Sequence, residues 1–362
     1  MSKKVEFHGS DLEKIEEYYH IPKEEIIQFG ANVNPLGLSE SVKSALTANL
    51  DIISSYPDRN YTTLKKAISS YCGCAPENVV VCNGSTELIS LLISQRHAKK
   101  ALVLGPTYSE DERELSLNGG SLEYYNLKEA DNFVLDTEDF LRVLHTDIDL
   151  LIICNPNNPT SSAITQETME TIAKVCREQS IFIMIDETYV EFAPDMAAIT
   201  SVPLTESYDN LMVIRGVSKF YAAPGLRFGY GITSNREFVN MLSTHQNPWS
   251  LNSIGAFAGE LMLKDTEYIK KTWNLIDRER TRLCEELEAL NTFKVYSPSA
   301  NFILLRIMKD GLTSFDVFEA AIHEKMMIRD CSSFKSLDGE FVRFCTMNPE
   351  DNERLLRVLK RF

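Results

Sequence analysis

The sequence predicts an α/β protein, in which helices cover both faces of a mostly parallel β-sheet and a smaller α+β domain lies beside it. Three observations lead to this prediction. The chain has 362 residues, which suits about two domains packed together better than one core. Between residues 78 and 232, short segments that are apolar on both faces alternate with helical or turn-forming segments. Beyond about residue 265 this alternation stops.

Six strands are predicted in the larger domain. They are Asn78 to Cys82, Ala101 to Leu104, Leu150 to Cys154, Ile181 to Ile185, Leu211 to Arg215 and Phe228 to Ile232. After the first strand, Glu87 to Gln95 continues with helical periodicity. Polar and small residues follow the carboxyl ends of these strands, which is where open α/β sheets bind ligands.

The carboxyl-terminal part has a different pattern, typical of an α+β domain. A long charged helix is predicted from Thr266 to Leu290, and a final helix is predicted from Pro349. Two strand-like segments, Asn301 to Ile307 and Glu340 to Thr346, lie between them. No strand-helix alternation precedes Ser54, so we expect the first residues to pack with this domain. The predicted division is a large domain of residues 46–240 and a small domain of residues 1–45 and 241–362.

Composition and charge exclude several classes of function. With 44% hydrophobic and 25% charged residues, the chain is neither disordered nor fibrous. A net charge of −15, without a basic stripe, argues against nucleic-acid or membrane binding. The amino terminus lacks the apolar stretch of a signal peptide, and the eight cysteines contain no CxxC pair. We therefore expect reduced thiols, no metal site and a cytoplasmic location.

Lys219 is the first candidate catalytic residue. It lies just past the predicted strand Leu211 to Arg215, beside small residues, and Arg227 follows eight positions later. Burial would lower the pKa of the lysine and make its amine a nucleophile toward an aldehyde. A lysine at this place is more often a solvated strand cap, so the residue alone decides little.

Asp186 and Tyr189 follow the predicted strand Ile181 to Ile185. A carboxylate at a strand end can keep a pyridinium nitrogen protonated, which makes the ring an electron sink. The tyrosine three residues later can reach a hydroxyl of the same ring. The commoner explanation of such a pair is a turn or a helix cap.

Three further segments contain candidate binding residues. Ser85 and Thr86 stand at a strand-to-helix turn, where backbone N–H groups form a natural phosphate site, although either residue can also be a simple N-cap. Asn155 to Thr160 forms a turn whose asparagines can bind a carboxylate or a ring oxygen, and a purely structural turn is the alternative. Tyr108 can stack on a flat ring, or it can be part of the core.

In this order and spacing, these motifs resemble the fold-type I, aspartate-aminotransferase-like enzymes that depend on pyridoxal 5′-phosphate (PLP). The resemblance runs the whole length of the chain and implies the three-layer PLP-transferase fold. It implies that Lys219 carries PLP as a Schiff base, that Asp186 pairs with the pyridine nitrogen, and that Tyr189 and Asn158 contact the ring hydroxyl. The other implied cofactor contacts are stacking by Tyr108, phosphate binding by Ser85, Thr86, Ser218 and Arg227, and a contact from Tyr56 of the neighbouring subunit in a homodimer.

Within that superfamily the chain is most similar to the histidinol-phosphate aminotransferase group, and inside it to the L-threonine-O-3-phosphate decarboxylases. The segments that show this include His8-Gly9, Ala31 to Gly37, Asn247 to Asn252 and Ile328 to Cys331. The resemblance implies that Arg343 and Asn158 bind the substrate carboxylate end. It also implies that Arg329 takes a substrate phosphate, with His8 and Asn34 assisting.

The sequence departs from the family pattern at four positions. Ser10 and Ser161 stand where glycine is usual, and Gly216 stands where serine or threonine is usual. Met347 replaces a second arginine that the decarboxylases often carry. The last departure leaves the exact anionic substrate open, although it does not affect the expectation of PLP.

Three functions follow from the resemblance. The first is decarboxylation of an O-phospho-L-amino acid, threonine phosphate or serine phosphate, through an external aldimine at the Lys219 cofactor site. The second is an aminotransferase of the histidinol-phosphate type, which also needs 2-oxoglutarate or glutamate. The remote third is a non-catalytic PLP-fold binding module. Such modules normally follow a DNA-binding domain, and the sequence shows no helix-turn-helix or basic extension.

Overall fold

Two β-sheets organise the chain. The computed structural model describes residues 7–107 and 110–362. The strands are β1 Val79–Cys82, β2 Lys100–Gly105, β3 Ser121–Asn126, β4 Leu150–Cys154, β5 Phe182–Asp186, β6 Leu211–Gly216, β7 Gly229–Ile232, β8 Phe293–Val295, β9 Phe302–Ile307, β10 Arg329–Asp330 and β11 Phe341–Cys345. The α-helices are α1 Leu12–Tyr19, α2 Glu40–Ala48, α3 Thr62–Cys72, α4 Ser85–Arg96, α5 Glu110–Leu117, α6 Thr137–Leu141, α7 Gln166–Glu178, α8 Met196–Ile199, α9 Arg236–His245, α10 Ser253–Met262, α11 Thr266–Glu288, α12 Ser314–His323 and α13 Pro349–Leu359.

The larger sheet has seven strands in the order β1-β7-β6-β5-β4-β2-β3. Strands β2 to β6 pair in parallel, whereas β7 is antiparallel to both of its neighbours. The central strands are buried along almost their whole length, as a sheet with helices on both faces requires. The predicted α/β class is confirmed, and the six predicted strands form within one residue of their predicted bounds.

Strand β3 was not predicted from the sequence. It is the last strand of the larger sheet and pairs only with β2. Its residues are exposed or half-buried, and its sequence places Ser121 and Glu123 between apolar residues. An edge strand contacts solvent on one face and along its unpaired edge. It therefore does not need the continuous apolar sequence from which the six other strands were predicted.

The second sheet has four antiparallel strands in the order β10-β11-β9-β8. Strands β9 and β11 match the two strand-like segments of the sequence within one residue. Helix α11 begins at Thr266 as predicted, where the Asp265 side chain accepts a hydrogen bond from the backbone N–H of Tyr268. Helix α13 begins at Pro349 as predicted, with Asn348 as its N-cap.

The amino-terminal residues pack against the second sheet. The backbone N–H of Cys345 donates to the carbonyl of Phe29, and Ile15 lies in the same apolar cluster as the strands of this sheet. A second cluster is continuous between the sheets, since it contains Ile153 of β4 and Phe302 of β9. The division at residues 45 and 240 stays a prediction. Across the described residues, no helix has the length and apolar character needed to span a membrane.

Candidate active site

The candidate site lies at the carboxyl end of the larger sheet, where β4, β5 and β6 end side by side. Asp186, the last residue of β5, is in register with Cys154 of β4 and Ile214 of β6. Lys219 follows three residues after the end of β6. Parallel strands therefore deliver the predicted carboxylate and the predicted lysine to one edge of the sheet.

Three consecutive residues, 30–32, connect two predicted catalytic side chains and one predicted substrate-binding side chain. The carbonyl of residue 30 accepts a hydrogen bond from Arg343 Nη2 at 2.7 Å, and the carbonyl of residue 31 accepts one from Lys219 Nζ at 2.7 Å. The Asn32 side-chain amide contacts the Tyr189 hydroxyl at 3.4 Å. We call residues 30–32 the connecting segment, because it joins side chains from three distant parts of the chain.

The environment of Lys219 favours the unprotonated form of its amine, which is the nucleophilic form. Its pKa is lowered from 10.5 to about 8, first by burial and next by the positive charge of Arg343, whereas Cys345 and Asp186 oppose the shift. Near neutral pH a much larger fraction of this amine is therefore unprotonated than for an exposed lysine. The solvated-cap explanation of Lys219 does not fit this environment.

Asp186 presents one free carboxylate oxygen. Its Oδ1 accepts two hydrogen bonds from Thr188, one from the backbone N–H at 2.9 Å and one from Oγ1 at 2.5 Å. Its Oδ2 has no hydrogen-bond donor among the described residues. Burial raises the pKa of this carboxyl, and the Thr188 hydrogen bonds oppose that rise. The neighbouring Glu187 does not compete for the site, since it forms a buried ion pair with Arg215 at 2.7 Å.

Asn158 contacts Arg343 directly, whereas Tyr189 contacts Asn32 of the connecting segment. The Tyr189 hydroxyl is buried, and burial raises its pKa, so it stays protonated over the physiological range. Asn158 Oδ1 accepts a hydrogen bond from Arg343 Nη1. The Asn155 side chain instead donates to the carbonyl of Ile164 and accepts from its backbone N–H. In this turn Asn155 therefore has a structural role, and Asn158 faces the site.

Arg329 and Arg343 form a pair of adjacent buried cations. They are opposite each other in register between β10 and β11, and their exposed fractions are 7% and 4%. Among the described residues, neither forms an ion pair with a carboxylate. Arg329 donates to the Phe7 carbonyl and to Ser333 Oγ, and Arg343 Nε is buried without a hydrogen-bond partner. Burial, and next the charge of Arg343, lower the pKa of Arg329. Such a pair is suited to bind anions.

The amino terminus of helix α4 has the features of an anion-binding helix end. Its N-cap is Gly84, at φ 80°, and no side chain caps the helix. Ser85 and Thr86 are therefore the first helical residues and not the N-cap. A Cβ atom at Gly84 would lie 2.5 Å from Arg227 Nη2, so the guanidinium group sits against this helix end. Free N–H groups, the helix dipole and an arginine together favour a phosphate. Ser218 lies partly buried close to Lys219 in the chain.

Two predicted residues, Tyr56 and His8, are exposed and form no hydrogen bond with these side chains within the described residues, although the Phe7 carbonyl next to His8 accepts from Arg329. The Tyr56 side chain is 80% exposed and packs on the Trp249 ring, with 4.8 Å between ring centroids. His8 is exposed, and its backbone N–H donates to Asp11 at 2.8 Å. Tyr108 lies outside the described residues.

Asn34 has contacts that favour a structural role. Its buried side-chain amide donates to the Phe220 carbonyl at 2.7 Å and to Thr272 Oγ1 at 2.8 Å. Its backbone N–H donates to the carbonyl of Lys219 at 3.0 Å. Asn34 thus holds the loop that contains Lys219, and its assistance in substrate binding stays a prediction.

The departures from the family pattern have structural explanations at three positions. Ser161 adopts a φ of 61°, and its hydroxyl accepts a hydrogen bond from the backbone N–H of Ala300 at 2.9 Å. A Cβ at Gly216 would lie 3.3 Å from a backbone oxygen, so a larger residue would be tight there. Met347 packs in the core, with its Sδ 3.5 Å from Cys345 Sγ.

The sequence analysis missed the connecting segment and Thr188. Residues 31 and 32 were noted only as part of a family resemblance, although Asn32 has a φ of 56°, a left-handed conformation that asparagine tolerates better than most residues. Thr188 lies between Asp186 and Tyr189 in the chain and was assigned no role. A hydroxyl two residues after an aspartate is a recognisable turn signal.

Comparison with known proteins places this site in a family. Residues 24–359 match the family model Aminotransferase class I and II. The threonine-phosphate decarboxylase of Salmonella typhimurium is 32% identical over 353 residues, which are 98% of this chain and 95% of that protein.

Two solved structures share the fold. The histidinol-phosphate aminotransferase from Clostridium acetobutylicum is 35% identical, with a TM-score of 0.86 over 92% of this chain and 98% of that chain. The histidinol-phosphate aminotransferase from Sinorhizobium meliloti, solved in complex with pyridoxal-5′-phosphate, has a TM-score of 0.86 over 99% and 96%. At 20% identity, the second likeness shows the fold alone. The fold-type I architecture is confirmed.

Proposed function

Because this chain belongs to the aminotransferase class I and II family and is a PLP-dependent enzyme, we propose that it decarboxylates an O-phospho-L-amino acid. Threonine phosphate and serine phosphate are the proposed substrates. The observation that supports this most directly is the adjacent buried pair Arg329 and Arg343, which lacks an ion-pair partner among the described residues. A phosphorylated amino acid has two anionic groups, one for each guanidinium, whereas histidinol phosphate has a phosphate but no carboxylate.

The described residues fit PLP at both ends of the cofactor. We assign the phosphate to the free amino terminus of α4, with Ser85, Thr86, Ser218 and Arg227. We assign the pyridine nitrogen to the unbonded Oδ2 of Asp186, the ring hydroxyl to Tyr189 and Asn158, the covalent link to Lys219 and ring stacking to Tyr108. When bound, PLP withdraws electrons from the substrate Cα.

The chain's own side chains then direct the reaction. Arg343 would hold the substrate carboxylate through a bidentate contact, and Arg329 would hold the phosphate. Loss of CO2 breaks the bond between Cα and the carboxyl carbon, and a proton must replace it at Cα. Lys219 Nζ, with a pKa of about 8, is the group proposed to deliver that proton. The products are CO2 and a phosphorylated amine.

The proposal includes a homodimer in which Tyr56 reaches the cofactor phosphate of the neighbouring subunit. Its support is the exposure of Tyr56, 80%, on a surface that also exposes Ile53 and the edge of Trp249. We also propose a cytoplasmic location, supported by eight free cysteine thiols.

The test is to incubate PLP-loaded protein with L-threonine phosphate or L-serine phosphate, without a keto acid, and to follow CO2 release. We expect sustained turnover, and Lys219→Ala should lose both turnover and the visible absorption band of the lysine-linked cofactor.

An aminotransferase would instead stop after a single half-reaction and release no CO2. That outcome would refute the decarboxylase and favour an enzyme like the 35% identical histidinol-phosphate aminotransferase. In that case the two arginines would serve the two carboxylates of glutamate.

A further inference from the structure

Thr188 makes an unusual pair of contacts to the end of β5. Its backbone N–H and its hydroxyl both donate to the same oxygen, Oδ1 of Asp186, at 2.9 and 2.5 Å. Thr188 is 9% exposed, and both contacts are partly buried. The other carboxylate oxygen of Asp186 has no donor among the described residues. Two donors on one oxygen fix the side-chain rotation and decide which oxygen stays open.

The contacts also act on the charge of Asp186. Burial favours the neutral carboxyl, and the negative charge of Glu187 acts in the same direction. The two Thr188 hydrogen bonds oppose this, and so does the positive charge of Lys219, which is last among these effects. Hydrogen bonds to a carboxylate stabilise the ionised form, and a hydrogen bond to a charged group is stronger than one between neutral groups.

We propose that Thr188 is a positioning residue that keeps Asp186 ionised and aims its free Oδ2 at the cofactor pyridine nitrogen. This inference rests on the proposed role of Asp186 and adds a second residue to it. A neutral Asp186 lacks the negative charge that keeps the pyridine nitrogen protonated, a rotated Asp186 does not present Oδ2 to it, and an unprotonated pyridine is a weaker electron sink. Thr188 would act through Asp186 and would not touch the substrate.

The test uses variants of the PLP-loaded enzyme at Thr188, Thr200 and Asp186. Thr188→Val keeps the branched shape and the backbone N–H but removes the hydroxyl donor, whereas Thr188→Ser restores the donor. Thr188→Ala replaces the valine variant if valine prevents folding. Thr200→Val is the matched control, because the buried Thr200 hydroxyl contacts Glu187 and Arg215 and not Asp186.

The primary measurement is the ¹⁵N NMR resonance of enzyme reconstituted with PLP labelled at the pyridine nitrogen, without substrate. We expect Thr188→Val to move this resonance toward that of unprotonated pyridine, and we expect Thr188→Ser and Thr200→Val to leave it in place. With Thr188→Val, kcat for CO2 release should fall roughly ten- to a hundredfold with little change in KM.

Asp186→Asn separates the two ways in which this inference can fail. If Asp186→Asn moves the resonance and Thr188→Val does not, Thr188 has only a structural role and the proposed function stands. If neither variant moves it, the assignment of Asp186 in the proposed function is itself wrong.

Discussion

Two buried arginines in central positions of the two sheets have opposite surroundings. Arg215, in β6, is 2% exposed, and its guanidinium makes two contacts to Glu187 and one to Thr200. Arg343, in β11, is 4% exposed, and its partners are neutral oxygens of Asn158 and residue 30. Burying a charge is costly unless it is paired. The fold supplies the counter-charge in the first case, and in the second case no described residue supplies one.

The largest expected effect on stability is that of Arg215→Met. This change leaves the Glu187 carboxylate buried without its partner, which should lower the free energy of unfolding by about 3–5 kcal/mol. Denaturant unfolding of the apoenzyme measures the loss. The double variant Arg215→Met with Glu187→Met should recover most of it. If the single variant loses under 1 kcal/mol, the pair does not stabilise the fold.

Arg343→Met should reduce activity without reducing stability. It removes a buried charge that has no counter-charge among the described residues, so the free energy of unfolding of the apoenzyme should stay equal or rise. The kcat/KM for CO2 release should fall by about 10²–10³, because the substrate carboxylate loses its bidentate partner. Reduced stability with unchanged kcat/KM would contradict the distinction between the two arginines.

Arg329→Gln tests whether Arg329 and Arg343 bind different groups of the substrate. We expect kcat/KM for L-threonine phosphate to fall by roughly tenfold to a hundredfold, while the slow reaction with unphosphorylated L-threonine changes little. Ser333→Ala, which removes one of the two neutral partners of Arg329, is the milder companion variant. An equal loss for both substrates would show that Arg329 does not bind the phosphate.

The smallest effect is a dependence of stability on pH. The Lys219 pKa is about 8 in the folded chain and 10.5 in the absence of the fold, so between these values the unfolded state holds the extra proton. The free energy of unfolding of the apoenzyme should therefore rise from pH 8 to 10.5 relative to Lys219→Met, by about 2 kcal/mol. Below pH 8 the difference should be constant, with the wild type less stable. Parallel pH curves would show that the folded pKa is not lowered.

The cofactor end of the site was predictable from sequence because its residues follow buried strands. Asp186, Lys219 and the start of α4 each stand at the end of an apolar strand or within three residues after it, so their place at the sheet edge follows from the strand pattern. The connecting segment has no such local signal. Its contacts join residues 188, 313 and 157 positions apart in the chain, and only the tertiary fold brings them together.

Asn34 and Asn158 show a second feature that could not be predicted from the sequence, the direction of a side chain. Both are buried asparagines near a turn, and the resemblance assigned both to the substrate. The fold turns Asn158 toward Arg343 and turns Asn34 toward Phe220 and Thr272. Residue type and spacing do not encode that difference in direction.

The connecting segment has a consequence for any attempt to alter this enzyme by mutation. Rotating one peptide group of residues 30–32 changes the orientation of the next, so the contacts to Arg343, Lys219 and Tyr189 cannot be adjusted one at a time. Substitutions at these three side chains should therefore be strongly non-additive, and their effects should depend on the order in which they are introduced. We therefore expect few variants that begin with a substitution at Arg343, Lys219 or Tyr189 to gain activity on a new substrate. Substitutions around Arg329 leave the backbone of residues 30–32 unchanged.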